Sequence, residues 1–307
     1  YIKFIGNKFN IIDIPDIRKV HKNPIVRIGG LSIFLSFFLG LLLIYLVFGF
    51  HNLNEDILPE FYYFLIGGFL FFLIGIHDDI FKSSPILRLF LQFGVAFFVS
   101  FNGINFNALN FYVPYFGNLY INLPLTINYL LSTFWIVGIT NSINWLDGID
   151  ALAGGYSAIL TFGLFLLMLI QGNTIGIIFY SMILGSTIGF LMRNFKPAFY
   201  IMGDCGSNFL GYCLSASSLL FLSHSIFEAK NLIYLMVLFS LPLADMLLVI
   251  VERLIRKKNI FLPDKNHIHH KLMKLNIKYK NIICLLFSYS ALTVTVGIFY
   301  LRQNNFG

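Results

Sequence analysis

Charge is what this chain has least of. Only 11% of its 307 residues are Asp, Glu, Lys or Arg, while 58% are hydrophobic and the mean hydropathy is +0.80. A soluble domain carries about 25% charged residues, so a surface solvated all round is excluded. Cysteine is nearly as scarce. Cys205, Cys213 and Cys284 are odd in number and scattered, which gives no disulfide framework and no metal-ligand spacing. There is no internal repeat and no connection long enough to separate a second unit, so residues 1–307 read as one integral membrane domain. No basic stretch reads as a nucleic-acid site. A cleaved secretory signal explains nothing, because apolar runs recur to the end of the chain.

Those runs are what the chain has in abundance, with 36 phenylalanines among them. A helix needs roughly 20 apolar residues to cross the hydrocarbon layer. Nine stretches qualify, at about 29–50, 61–77, 86–101, 122–141, 152–170, 174–192, 206–223, 231–251 and 282–301. The expected fold is therefore all-α, a polytopic transmembrane helical bundle. Between the third and fourth stretches, residues 102–121 are rich in Asn, Tyr and Phe and suit an interfacial segment. Alternating nine spans puts 19 of the 21 Lys and Arg residues on one side and leaves Lys230 and Arg302 on the other. By the positive-inside rule the rich side is cytoplasmic.

The same alternation brings the polar motifs together. Asp78-Asp79, Asp147 with Asp150, Asp204, and the run His267-Ile268-His269-His270 all fall on the basic side, from four separate loops. A carboxylate at the bilayer centre costs about 2.5–3.5 kcal/mol on insertion scales, a cost avoided at aqueous helix ends. Asp78 and Asp79 repel each other, so at least one should be paired, protonated or near a cation; a metal-bound or general-base pair and a solvated helix end both fit. Asn144, Asp147 and Asp150 are spaced by three and would share one helical face, able to hold a metal or the donors of a sugar or base; capping of a helix start is the plainer alternative. Asp204 stands between glycines at the start of an apolar run. A helix beginning at Gly206 or Ser207 would aim free N–H groups at an anion, and Asp204 could hold Mg²⁺ against a diphosphate. The histidines lie in the most basic loop, with Arg253, Arg256, Lys257, Lys258, Lys265 and Lys271. Zinc is suggested by their spacing, but a phosphate-binding arm suits the surrounding charge better. The stretch from Arg18 to Gly30, with Lys22 inside it, is basic too and reads as part topology signal, part phosphate contact. Asp245, beside Pro242, is the one acid well inside a span.

Taken in order, Arg18 to Gly30, Asp78-Asp79, Asn144 to Gly155, Met202 to Gly206 and His267 to His270 resemble the polyprenyl-phosphate N-acetylhexosamine-1-phosphate transferases, glycosyltransferase family 4. The resemblance covers almost the whole chain. It implies transfer of a sugar 1-phosphate from a UDP-N-acetylhexosamine to undecaprenyl phosphate, releasing UMP and requiring Mg²⁺, with Mn²⁺ a substitute. The His-Ile-His-His form resembles the N-acetylglucosamine branch; the phospho-MurNAc-pentapeptide branch tends to carry three consecutive histidines. The resemblance implies catalytic roles for Asp78, Asp79, Asp147, Asp150, His267, His269 and His270. Lys22, Asn144, Asp150, Arg253 and Arg256 would bind substrate, and Asp204 the metal. It also implies a bacterial inner-membrane protein with its active site toward the cytoplasm, one further helix before Tyr1, and room for a homodimer. Family members often have Phe where this chain has Ile201; if that ring stacks on uracil, Tyr200 must replace it. A secondary transporter would place its charges at the midplane and show a repeat between halves. A CDP-alcohol phosphatidyltransferase would follow Asp147-Gly148 with Ala-Arg and further aspartates, which are absent from this stretch.

Overall fold

In lipid every backbone N–H and C=O must find a partner within the protein, which leaves the helix as the form open to the long apolar runs here. The computed structural model describes residues 2–9, 11–14, 24–48, 58–106, 108–113, 117–222, 227–259 and 266–303. A short helix α1 (Ile2–Lys8) leads to an antiparallel ribbon of β1 (Ile12–Asp13) and β2 (Ile25–Val26). Three long helices follow, α2 (Gly30–Phe48), α3 (Leu58–Phe81) and α4 (Pro85–Phe101). A hairpin of β3 (Ala108–Val113) and β4 (Gly117–Asn122) precedes α5 (Leu125–Leu146), α6 (Leu152–Gln171), α7 (Thr174–Asn194) and α8 (Gly203–Leu222). Strand β5 (Phe227–Glu228) pairs in parallel with β3 before α9 (Ala229–Leu238) and α10 (Ser240–Ile255), and α11 (Ile268–Lys274) and α12 (Tyr279–Gln303) close the chain.

The protein is thus an all-α membrane bundle with small strands at its margins. Among the described residues six helices, α2, α3, α6, α7, α8 and α12, are long and apolar enough to cross a bilayer, and the α9–α10 pair, bent by 66°, makes a seventh if taken as one span. Helix α4 is apolar but has only 17 residues. Helix α5 fills the fourth expected stretch, begins later than expected because 117–122 is a strand, and carries buried Asn128, Ser132, Thr133, Thr140 and Ser142. The expected interfacial segment at 102–121 is largely the hairpin, whose six-residue strands pair in register from Ala108 with Asn122 to Val113 with Gly117.

Helix α8 is the axis of the bundle, buried along its whole length, with α2, α3, α5 and α6 packed on it. Between lipid-embedded helices there is no hydrophobic drive to associate, so close van der Waals approach between small residues has to serve. Gly206 of α8 meets Gly30 of α2, the backbone at Asp204 and Cys205 meets Gly75 of α3, and Gly211 meets Thr140 of α5; a Cβ on any of these glycines would run into the facing helix. Large apolar side chains such as Leu43, Phe90, Met192 and Leu292 point outward, as a lipid-facing surface requires.

Successive rods alternate in direction. The C-terminal ends of α3, α5 and α10 meet the N-terminal ends of α4 and α8 and the ribbon of β1 and β2 at one end of the molecule. The hairpin, with Asn105 bonded to Asn128 and Phe106 N–H to Ser132, occupies the other.

Candidate active site

The polar end is organised around Asp204, the second residue of α8. Gly203 before it adopts φ +74°, a left-handed conformation that favours glycine, and a Cβ there would strike the Arg27 carbonyl oxygen. One Asp204 oxygen accepts from Asn144 Nδ2 at 2.5 Å, and the other accepts from Arg27 Nη2 at 2.6 Å. Asn144 Nδ2 also reaches Ser207 Oγ at 2.8 Å. Arg88, in the first turn of α4, lies 3.8 Å from Asp204 and 2.9 Å from Asp78.

The structure separates the Asp78-Asp79 pair. Asp78 faces the cavity and is paired with Arg88. The Asp79 side chain is wholly buried: it accepts the backbone N–H groups of Asp204 and Cys205, each at 2.9 Å, and Arg27 Nε at 2.8 Å. The repulsion expected between the two acids is relieved by giving each its own arginine. The free N–H groups that start α8 therefore do meet an anion, but the anion is Asp79 of α3, and the helix begins at Gly203 rather than at Gly206 or Ser207. Arg27 also lies 3.6 Å from Asp13. Although burial disfavours its charge, the carboxylates of Asp204, Asp79 and Asp13 raise its pKa further above the ordinary arginine value.

A cavity of about 620 Å³ opens beside these groups. Its polar end is formed by Arg27, Asp78, Lys82, Arg88, Asn141, Asn144, Asp204, Arg253 and His267. The rest is apolar, formed by Leu89 and Phe93 of α4, Phe134 and Val137 of α5, and Met246 and Ile250 of α10. Arg253 stacks over the Trp145 ring at 5.3 Å, and both line the cavity. Behind Asn141, a chain of amides runs from Asn141 to Gln92 at 2.7 Å and on to Asn208 at 3.3 Å, tying α5, α4 and α8 together.

The expected site residues are distributed as follows. Asp78, Asn144, Asp204, Arg253 and His267 line the cavity. Asp147 and Asp150 do not share a helical face with Asn144, because α5 ends at Leu146 and Asp147 caps it; the chain then turns through Gly148 and a left-handed Ala151 before α6. Asp147 is still within the field of Asp204, and burial, then that charge, pushes its pKa up to about 7. The Asp150 carbonyl accepts from the Tyr279 hydroxyl at 2.6 Å. His269 is buried against Gly148, its ring parallel to that of His267 at 5.8 Å and tilted to His270 at 4.3 Å. Burial lowers its pKa to about 3, so its imidazole is neutral. Neither His269 nor His270 is part of the cavity wall. Arg256 and Lys271 share Glu252, at 2.5 and 3.1 Å, outside the cavity. Tyr200 packs on Phe190 at 5.8 Å instead of lining the cavity. Lys22 lies outside the described residues.

Four contributors were not singled out from the sequence. Arg27 sat unmarked within a basic stretch, and Arg88 and Lys82 looked like topology markers at helix ends. Trp145 gave no periodic signal beside Asn144.

The sequence model of glycosyl transferase family 4 matches residues 61–222, the stretch that supplies Asp78, Arg88, Asn144 and Asp204. The chain belongs to glycosyl transferase family 4. Over 308 residues it is 32% identical to the probable undecaprenyl-phosphate N-acetylglucosaminyl 1-phosphate transferase of Bacillus subtilis, covering 98% of this chain and 82% of the relative. It is 30% identical to the undecaprenyl-phosphate alpha-N-acetylglucosaminyl 1-phosphate transferase of Thermotoga maritima, covering 97% and 84%. The decaprenyl-phosphate N-acetylglucosaminephosphotransferase of Mycobacterium leprae is also 30% identical, with 92% and 75% covered. At 98% and 97% of this chain, the Bacillus subtilis and Thermotoga maritima alignments leave out too few residues to miss the cavity walls outside the matched core.

Proposed function

We propose that this protein transfers N-acetylglucosamine 1-phosphate from its UDP conjugate to a polyprenyl phosphate, undecaprenyl phosphate above all, at the cytoplasmic face of a bacterial inner membrane. UMP is released, and the product starts a lipid-linked envelope glycan. The observation that carries the reading is the division of one cavity into a pole of arginines and aspartates and an apolar trough between α4, α5 and α10. An isoprenoid chain fits the trough and its phosphate the pole, while a soluble nucleotide sugar reaches the pole from water. The relatives' names supply the sugar and the lipid. The cytoplasmic assignment is supported by the basic residues that gather at this end.

In the reaction an oxygen of the lipid phosphate bonds to the sugar-bearing phosphorus, and the P–O bond to UMP breaks. Such chemistry asks for alignment and charge neutralisation more than for covalent help. Arg27, Arg88 and Arg253 bring three fixed positive charges to the pole. Asp78, on the cavity wall and oriented by Arg88, is placed to take the proton of the lipid phosphate or to orient it. Asn144 holds the Asp204 carboxylate in one orientation.

Among the described residues no group of three or more His, Cys, Asp or Glu side chains converges as a ready-made metal cage. Mg²⁺ does not need one, since it is commonly held by one or two carboxylates together with substrate phosphates and water. Asp204 fits that manner of binding, because its carboxylate lies on the cavity wall among the groups that would take the phosphates; Mg²⁺ would take the place that the Arg27 guanidinium holds against it. Asp204 would hold Mg²⁺, or Mn²⁺ in its place, which when bound neutralises charge on the diphosphate. Purified protein should release UMP from UDP-N-acetylglucosamine only with undecaprenyl phosphate and Mg²⁺ present. Absence of UMP release from every member of a UDP-sugar panel would overturn the reading.

A further inference from the structure

Asp245 lies in α10, is 1% exposed, and is absent from the cavity wall and from the chemistry above. A carboxylate inside a membrane-spanning segment is expensive and normally has a purpose. Here both oxygens are engaged by the start of the histidine run: Oδ2 lies 2.8 Å from His267 Nδ1, and Oδ1 accepts the Ile268 N–H at 2.6 Å. A carboxylate can only accept, and in that pairing Nδ1 is the donor. Nε2 is then the nitrogen left for the cavity that His267 lines. Its nearest aromatic neighbour there is Trp145, edge-on at 5.5 Å, with Arg253 over the same indole.

We propose that Asp245 is a positioning residue that fixes His267 in the Nδ1–H tautomer and so presents Nε2 to the cavity as an acceptor. The proposal rests on the transferase reading for its consequence, though not for its geometry. The cationic groups of this pole, Arg27, Lys82, Arg88 and Arg253, can only donate. They suit phosphate oxygens and offer nothing to the hydroxyl and imide donors of a nucleotide sugar. His267 Nε2 supplies an acceptor among them. Because α11 begins at Ile268, the same carboxylate also fixes the start of that helix beside His267.

Asp245→Asn tests this, because its carbonyl oxygen can keep the Ile268 bond while its amide donates to Nδ1 and drives the proton to Nε2. Solid-state ¹⁵N spectra of histidine-labelled protein in lipid, with His267 assigned by comparison with His267→Gln, should show only Nδ1 protonated in the wild type and only Nε2 protonated in Asp245→Asn; both nitrogens protonated in the wild type would leave no acceptor and overturn the proposal. Turnover of Asp245→Asn should fall about 10- to 100-fold, by analogy with the carboxylates that orient metal-bound histidines. In the His267→Gln background the same change should cost less than about 2-fold, since residues acting through one another are not additive. Asp245→Glu, still acceptor-only, should keep the tautomer and lose less than Asp245→Asn. Losses that multiply in the double variant, or an unchanged tautomer in Asp245→Asn, would overturn the proposal. The ¹⁵N readout needs no substrate, so it stands apart from any failure of the wild type to release UMP.

Discussion

Asp78 and Asp79 are adjacent in sequence and do different things, because successive helical side chains point about 100° apart. One reaches the cavity, and the other is consumed in capping α8 from a neighbouring helix. On the proposed function, that division leaves Asp204 to hold the metal and Asp78 to orient the substrate. Asp204→Asn keeps the size and one oxygen but removes the charge that attracts a hard cation. Turnover should drop about 10²–10³-fold, the loss of roughly 3–4 kcal/mol in the transition state, and titration calorimetry should show Mg²⁺-dependent nucleotide binding abolished. Asp78→Asn should slow turnover while leaving that binding largely intact. The reverse pattern would exchange the two assignments. Asp147 gives a test by pH. Its pKa in the folded protein is raised to about 7 from the ordinary 3.8, so the folded state holds a proton that the unfolded state releases. The stability this contributes is full below about pH 4 and is lost as pH rises through 7. Asp147→Asn removes the penalty, so its melting temperature in metal-free detergent should gain on the wild type between pH 5 and pH 8. A constant gap across that range would show that Asp147 does not titrate there.

Helix packing explains why these side chains meet at all. Asp204 can sit beside Asp79 and Arg27 only because α8 lies almost in backbone contact with α2 and α3, at Gly30 against Gly206 and at Gly75 against the Asp204–Cys205 backbone. Gly30→Ala must push these backbones apart, a misfit of the kind that typically costs about 1–3 kcal/mol. It should lower the melting temperature and nearly abolish turnover while far-ultraviolet circular dichroism keeps its helical signal. Gly189→Ala, in α7 with open space where its Cβ would go, should match or slightly exceed the wild type in stability, because alanine is the better helix former. Equal tolerance at both positions would mean that α2 and α8 are not closely packed. Nothing local in the sequence marks Gly30, Gly75 or Gly206 as packing residues, because the backbones they meet lie far along the chain. The helices themselves were legible from length and hydropathy. The hairpin at 108–122 was not, since alternating Asn, Tyr and Phe at an interface carry no clean period.

The site was legible where several motifs had to satisfy one membrane sidedness at once, and illegible where a single residue mattered through its neighbours. Asp78, Asn144, Asp204, Arg253 and His267 emerged because parity put them together, and the structure brings all five onto one cavity. Arg27, by contrast, is defined by Asp79 and Asp204, residues 52 and 177 positions away, and no local pattern encodes such distances. The sidedness itself remains open to direct test. Alternation of the apolar stretches along the sequence assigns 19 of the 21 basic residues to the side that carries the cavity motifs, and positive charge near helix ends is retained on the cytoplasmic side. Cys205 and Cys213 are buried and Cys284 is exposed on the rod surface, so Cys284→Ser leaves a background nearly silent to thiol reagents. In that background Lys258→Cys reports on the cavity end and Gln171→Cys, at the end of α6, on the opposite one. With intact cells a membrane-impermeant maleimide should label Gln171→Cys and spare Lys258→Cys, and permeabilising the cells should expose both. Labelling of Lys258→Cys in intact cells would turn the whole bundle over. It would also put the cavity on the side of the membrane where nucleotide sugars are not supplied.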